Sequence, residues 1–186
     1  FSVIALGLTL YDILTIKTGI LMSPFFPCVN EIFTAMIEDR VYLWECTVST
    51  LKLLMHGYCS GAVLGLITGV ACGYSKRVNY WLSPIMKFLG PIPTTTWIPV
   101  IMVLAPTLYK GSVFVIALGV WYSVALATIT GISNVEKSYF DAARTLGAKE
   151  HHMVLRIAIP YAIPNMFQGL TQGMTIACTA LLVAEM

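Results

Sequence analysis

The sequence predicts an all-α fold, a polytopic transmembrane helical bundle, and three observations carry that prediction. Of the 186 residues, 58% are hydrophobic. Only 11% are charged, against roughly 25% in an ordinary soluble domain, too few to cover a water-facing surface. The charges also leave uncharged windows of about 20 residues, the length a helix needs to cross the hydrocarbon core. High hydrophobicity with so little charge excludes disorder. A formal net charge of +2 with dispersed basic residues is too small to suggest a nucleic-acid partner, and none is expected.

Residues 1–16 are apolar apart from Asp12; they are too short for a whole span and read as the C-terminal part of one. The sequence starts inside that apolar run and stops at Met186 without a closing loop, so both ends read as cut from a longer chain. Residues 19–45 hold the Pro24-Phe25-Phe26-Pro27 turn and a mixed charged and apolar stretch, which predicts an external turn and a short interfacial helix. Four complete windows follow: 53–75, uncharged apart from His56, then 88–109, 111–131 and 161–184. The expectation is therefore five spans in a single transmembrane domain over 1–186, with a sixth beyond it.

Orientation follows from the excess of Lys and Arg in cytoplasmic loops. Lys76, Arg77, Lys87, Lys137, Arg144, Lys149 and Arg156 share one side, whereas Lys17, Arg40, Lys52 and Lys110 lie on the other among Glu31, Glu38, Asp39 and Glu45. Loops 74–87 and 133–160 are thus expected in the cytoplasm. No charged residue interrupts the four complete windows, which argues against a proton pump, a voltage sensor or an ion exchanger. Energy for any transport must come from elsewhere.

Metal and redox chemistry find little support. Cys28, Cys46, Cys59, Cys72 and Cys178 are odd in number and form no CxxC pair, so neither a disulfide framework nor a zinc site is indicated. His56 reads as a hydrogen-bonded helix residue. The side chains of His151 and His152 diverge by about 100° on a helix. No metal site and no catalytic residue are expected.

Several patterns inside the windows bear on packing and passage. Gly57, Gly61, Gly65, Gly69 and Gly73 recur every four residues, a ridge that lets two backbones approach, either within the chain or at a subunit seam. Gly169 and Gly173 repeat the spacing once, and Gly119 lies outside any repeat. Pro91, Pro93, Pro99 and Pro106 interrupt the 88–109 window, and broken backbone at membrane depth belongs in a cavity wall or inside protein. There the hydroxyls of Thr94, Thr95 and Thr96, beside Trp97, either serve a polar path or re-satisfy carbonyls freed by the prolines. Asn165, Gln168 and Gln172 share one face of the last window, with Thr171, Thr175 and Thr179 on an adjacent stripe. Interhelical glue and a solute path are both open for them.

Residues 133–160 read as a cytoplasmic helical hairpin. Ser133-Asn134-Val135-Glu136 fits a capping box, Val135, Tyr139, Ala142, Ala143 and Leu146 fall on one face, and Gly147 stands where a helix ends in the left-handed conformation. A second helix is expected from about Ala148, stopping near Ile159-Pro160. The small face at Ala142 and Ala143 suits close approach by a partner; the alternative is a hairpin lying on its own membrane surface.

These residues carry a resemblance. Asp141-Ala142-Ala143, then Gly147, then Ile157-Ala158-Ile159-Pro160 resembles the EAA motif of binding-protein-dependent ABC transporter permeases, with Asp for the usual Glu and Ile for the usual Leu. The segment from Pro91 to Pro99 is similar to the proline-rich span of the nitrate, sulfonate, taurine and bicarbonate branch. Val183-Ala184-Glu185-Met186 is similar to the end of that branch's next span. The resemblance covers the chain from about Thr50 onward.

It implies an inner-membrane (plasma-membrane) permease subunit that performs no chemistry, in keeping with the absence of a GxxxxGK[ST] loop, an HExxH helix or a readable nucleophile and base pair. It further implies a permease homodimer in lipid and an extracytoplasmic substrate-binding protein delivering a small solute, such as an anion. A separate cytoplasmic ABC ATPase would hold ATP and Mg, and its docking would fall on Asp141, Ala142, Ala143, Gly147, Ile157 and Pro160. Two other readings, a self-sufficient channel and an intramembrane enzyme, leave the 133–160 hairpin without a role.

Overall fold

The computed structural model describes residues 29–185 apart from Pro91. The chain divides into two compact units, Phe1–Ser49 and Thr50–Met186. The partial span at 1–16 and the turn at Pro24 to Pro27 lie outside the described residues.

In the first unit, helix α1 (Val29–Glu38) is followed by the start of helix α2 (Arg40–Tyr74). Asp39 N–H bonds Ala35 O at 2.9 Å, and Leu43 N–H bonds Asp39 O at 2.9 Å. The expected short interfacial helix is therefore helical but does not stop. Its backbone ladder runs on into α2.

The second unit contains the rest of α2, then α3 (Lys76–Leu89), α4 (Ile98–Leu104), α5 (Leu108–Ser133), α6 (Lys137–Thr145), the short α7 (Glu150–Met153) and α8 (Ile159–Glu185). Among the described residues three helical stretches are long and apolar enough to cross a membrane: Arg40–Tyr74, Leu108–Ser133 and Glu150–Glu185. Helix α5 is apolar on all sides and is accordingly buried, with Ile116, Val120 and Val124 fully enclosed. Small residues admit its neighbours. A Cβ on Gly57, Gly61, Gly65, Gly69 or Gly73 would meet Ile116, Ala117, Val124, Thr128 or Ile132 of α5 within 2.8 Å. On the opposite flank a Cβ on Gly169 of α8 would stand 2.6 Å from Ala127 Cβ. The glycine ridge thus forms a seam inside the chain.

The 88–109 window is not one helix, and the prolines explain why. Helix α3 ends at Leu89, a single 3₁₀ turn covers Thr94–Trp97, and α4 lasts seven residues. Pro99 sits in the first turn of α4, where a missing N–H costs nothing. Ala105 is pushed to φ −78°, ψ 139°, as expected of the residue before a proline, and α4 stops there.

Two further expectations are corrected at the hairpin. Ser133 is the last residue of α5, with Asn134 as its C-cap, because the buried face of α5 extends through Ile132. The capping box does not form: Glu136 caps α6 through its backbone position without a side-chain cap bond, and its carboxylate accepts from Ser138 Oγ at 3.2 Å. Nor does the returning helix stop at Ile159-Pro160. Residues Val154–Ala158 widen into a π-turn in which Ile159 N–H bonds Val154 O, five residues back. That widening is the usual way a helix passes an obstruction such as the ring of Pro160.

Candidate functional site

Two cavities of mixed polar and apolar lining lie along the α5–α8 seam. The first, of about 390 Å³, is walled by Thr94, Thr95 and Trp97 from the broken segment, by Gly119, Trp121 and Tyr122 of α5, and by Ile176 and Thr179 of α8. The second, of about 270 Å³, is walled by Tyr122, Ser123 and Thr130 of α5 and by Asn165, Gln168, Gln172 and Ile176 of α8. Tyr122 and Ile176 line both. The structure therefore brings Thr94, Thr95 and Trp97 to one cavity and all three amides of the last window to its neighbour. Thr96 is exposed outside both linings.

Local chemistry separates the threonines. Thr171, Thr175 and Thr179 bond carbonyls of their own helix, to Phe167 O at 3.0 Å, Thr171 O at 3.4 Å and Ile176 O at 2.9 Å. They need no partner from elsewhere. The hydroxyls of Thr94, Thr95 and Thr96, in contrast, have no protein partner among the described residues, so repair of proline-freed carbonyls does not occupy them. No charged side chain lines either cavity.

Close packing shapes these walls. A Cβ on Gly119 would stand 2.7 Å from Ile176 Cγ2 and 2.9 Å from Thr94 Oγ1; this glycine, outside every repeat, is part of the first cavity. The bare backbone of Gly90 lies against the Tyr122 ring. Sequence reasoning missed Tyr122, Ser123 and Thr130, which lie in an apolar run with no periodic signal to mark them. His56 behaves as expected, with Nδ1 2.8 Å from Lys52 O and 3.0 Å from Tyr109 Oη.

At the far end of α5, α6 is short, amphipathic and largely exposed. Gly147 has φ 77°, and the N–H groups of Gly147 and Ala148 bond Arg144 O and Ala143 O, both at 3.0 Å. That pair of bonds is a Schellman motif. Of the face expected to be apolar, Val135 is buried and Ala143 half-buried, whereas Tyr139, Ala142 and Leu146 face outward, Leu146 with 88% exposure. The helix is held instead by Phe140, which packs against the buried cluster of Ile132, Ala158, Ala162 and Met166. Arg144 adds long, exposed ion pairs to Asp141 at 3.6 Å and Glu150 at 3.9 Å, and Tyr74 Oη donates to Glu150. Ile157 is half-buried and Pro160 exposed at the foot of the returning helix.

Comparison with known proteins identifies the family. The family described as "Binding-protein-dependent transport system inner membrane component" matches residues 61–186. A putative aliphatic sulfonates transport permease protein of Bacillus subtilis is 32% identical over 130 residues, 70% of this chain and 47% of that protein. The taurine transport system permease protein of Escherichia coli is 25% identical over 180 residues, 92% of this chain and 66% of that protein. A nitrate import permease protein of Synechococcus elongatus is 28% identical over 137 residues, 74% of this chain and 49% of that protein. The chain spans about half the length of the first relatives it matches.

Proposed function

This chain belongs to the family of binding-protein-dependent transport system inner membrane components, and on that premise we propose that the whole protein is the permease subunit of an ATP-driven importer. A small anion, of the sulfonate, taurine or nitrate kind named for its relatives, is delivered by an extracytoplasmic binding protein. It passes along the two neutral cavities. Hydroxyl and amide donors suit transit because they offer hydrogen bonds without a fixed charge, so the solute is held weakly enough to leave. ATP is hydrolysed, with Mg, on a separate cytoplasmic subunit, and a permease homodimer completes the path. Loops 74–87 and 133–160 lie on the cytoplasmic side.

The observation that carries this reading is the outward face of α6. Tyr139, Ala142 and Leu146 stand in the open on a helix that Phe140 anchors and Gly147 terminates, an apolar surface that the described residues leave uncovered apart from the Tyr161 ring beside Tyr139. A groove of the ATPase is the proposed cover. Closure of that subunit would then be transmitted through Phe140 to the start of α8.

Ala142→Glu tests this directly. The side chain is exposed, so folding should be unaffected, while bulk and charge enter the docking face. The expected result, with full-length protein in reconstituted vesicles, is normal insertion, loss of ATPase co-purification and no substrate-stimulated ATP hydrolysis. Normal transport by this variant would remove α6 from the coupling role.

A further inference from the structure

A third cavity, of about 420 Å³, opens beside α6 and has no part in the path described above. Gly73 and Tyr74 at the end of α2 and Ile132 near the end of α5 form its inner wall; Lys76, Lys137 and Arg144 bring three cations to it, and Asp141 and Glu150 two carboxylates. Both carboxylates are turned to Arg144, and Glu150 also accepts from Tyr74 Oη. Glu136, beside Lys137, accepts from Ser138 Oγ instead. No carboxylate among the described residues pairs with Lys76 or Lys137.

The placement of those two lysines conflicts with local electrostatics. Each is the first residue of its helix, Lys76 of α3 and Lys137 of α6, where the positive end of the peptide dipoles disfavours a cation. Local choices that oppose the fold's own preferences are expected where a function compensates them. An anion in this cavity removes the conflict at both helices at once. Arg144 can join it, because its pairs at 3.6 and 3.9 Å exceed ordinary hydrogen-bond length and leave its donors available.

Level in the membrane narrows the chemistry. Helices α2 and α5, both long and apolar enough to cross, end beside this cavity and give Tyr74 and Ile132 to its wall, the level at which a spanning helix is expected to meet the headgroups. We propose that this cavity is a binding site for a phosphate-bearing anion, clamped by Lys76, Lys137 and Arg144, with membrane phospholipid headgroups and free phosphate as the two sources of that chemistry.

Thermal unfolding of the full-length protein tests the site, since a ligand that binds the native state raises Tm by mass action. The probes are vesicles of phosphatidylcholine alone, the same vesicles doped with phosphatidylglycerol, and inorganic phosphate added to the first. Wild type and a Lys149→Ala control, which alters a basic residue outside the lining, should gain at least about 2 °C with an anionic probe, and a Lys76→Ala/Lys137→Ala variant should gain nothing. If the double variant fails to insert, Lys137→Gln gives the same comparison with one charge removed. A gain with phosphatidylglycerol alone identifies a lipid headgroup, and a gain with inorganic phosphate identifies the free ion. Equal gains in all variants would overturn the site. So would an unchanged phosphatidylglycerol response together with loss of ATPase co-purification, which would assign the lysines to acidic groups of that partner.

Discussion

A Cβ placed on Gly61 of α2 would stand 2.5 Å from the carbonyl oxygen of Ala117 on α5. That carbonyl belongs to the helical ladder and cannot rotate away, so the two backbones touch where only hydrogen fits. Lipid offers no hydrophobic drive for helices to pair, and such packing is what holds them together.

Gly61→Ala is therefore expected to destabilise the protein by about 1–3 kcal/mol, the usual cost of one methyl too many in a packed interior. Gly65→Leu, whose Cβ would begin 2.8 Å from Val124 Cβ, should prevent assembly. Gly173→Ala is the control, since its nearest neighbour is the Val120 Cγ1 methyl at 3.3 Å. Thermal unfolding in detergent measures all three; equal, small effects would mean that the contact yields.

Gly147 isolates backbone strain from packing. Its φ is 77°, and nothing lies within 4 Å of a Cβ built there. Gly147→Val should cost about 1–2 kcal/mol through the left-handed conformation alone, and Gly147→Asn clearly less, since Asn tolerates that region. The variants should insert normally, and the Val variant should lose coupling between ATP hydrolysis and transport because the α6–α7 turn is reshaped. Identical behaviour of Val and Asn would show that the turn is not strained.

The legible parts of this molecule were those written in periodicity and in special residues. The four-residue glycine spacing marked the α2 face that meets α5, the 165, 168, 172 spacing marked the face that lines the second cavity, and Gly147 marked the end of α6. Sequence spacing could not say which helix the glycine ridge would meet, because any neighbour satisfies a flat face. The supposed capping box failed because Ser133 was already taken by α5, which outlasts the 111–131 window by two residues and buries the first of them, Ile132. Pro160 looked like a stop, but a π-turn absorbs its ring and the helix continues. Phe140 was hidden one position beside the more regular apolar stripe, and only the fold shows that Tyr139, Ala142 and Leu146 of that stripe face out.

The two cavities along α5 and α8 make a prediction about passage. Gln172→Leu removes an amide from the second cavity at nearly constant volume, leaving a solute one hydrogen-bond partner fewer. Transport should fall several-fold through a weaker apparent affinity, with ATPase co-purification unchanged, because Gln172 lies far along α8 from α6. Thr171→Val, whose hydroxyl already bonds Phe167 O at 3.0 Å and lines neither cavity, should transport normally. Equal losses in both would point to helix packing in place of a path.

Orientation can be settled with thiol labelling, and the fold supplies the positions. Asn79 and Ser138 are exposed on α3 and α6, and Leu108 is exposed at the opposite end of α5 from Ser138. Leu108 is preferable to Thr107, whose Oγ1 accepts from Lys110 N–H at 3.4 Å and caps the helix; a cysteine there would sacrifice that bond. In a chain cleared of its five native cysteines, single cysteines at Asn79 and Ser138 should react with a membrane-impermeant reagent only after the cells are opened, and one at Leu108 should react from outside. Basic residues govern this outcome, since seven of the eleven Lys and Arg lie at the Asn79 and Ser138 end and positive charge is retained in the cytoplasm. Reaction of the Ser138 cysteine in intact cells would invert the topology. An ATPase in the cytoplasm could then not reach α6, and the coupling role proposed for Ala142 would fall with it.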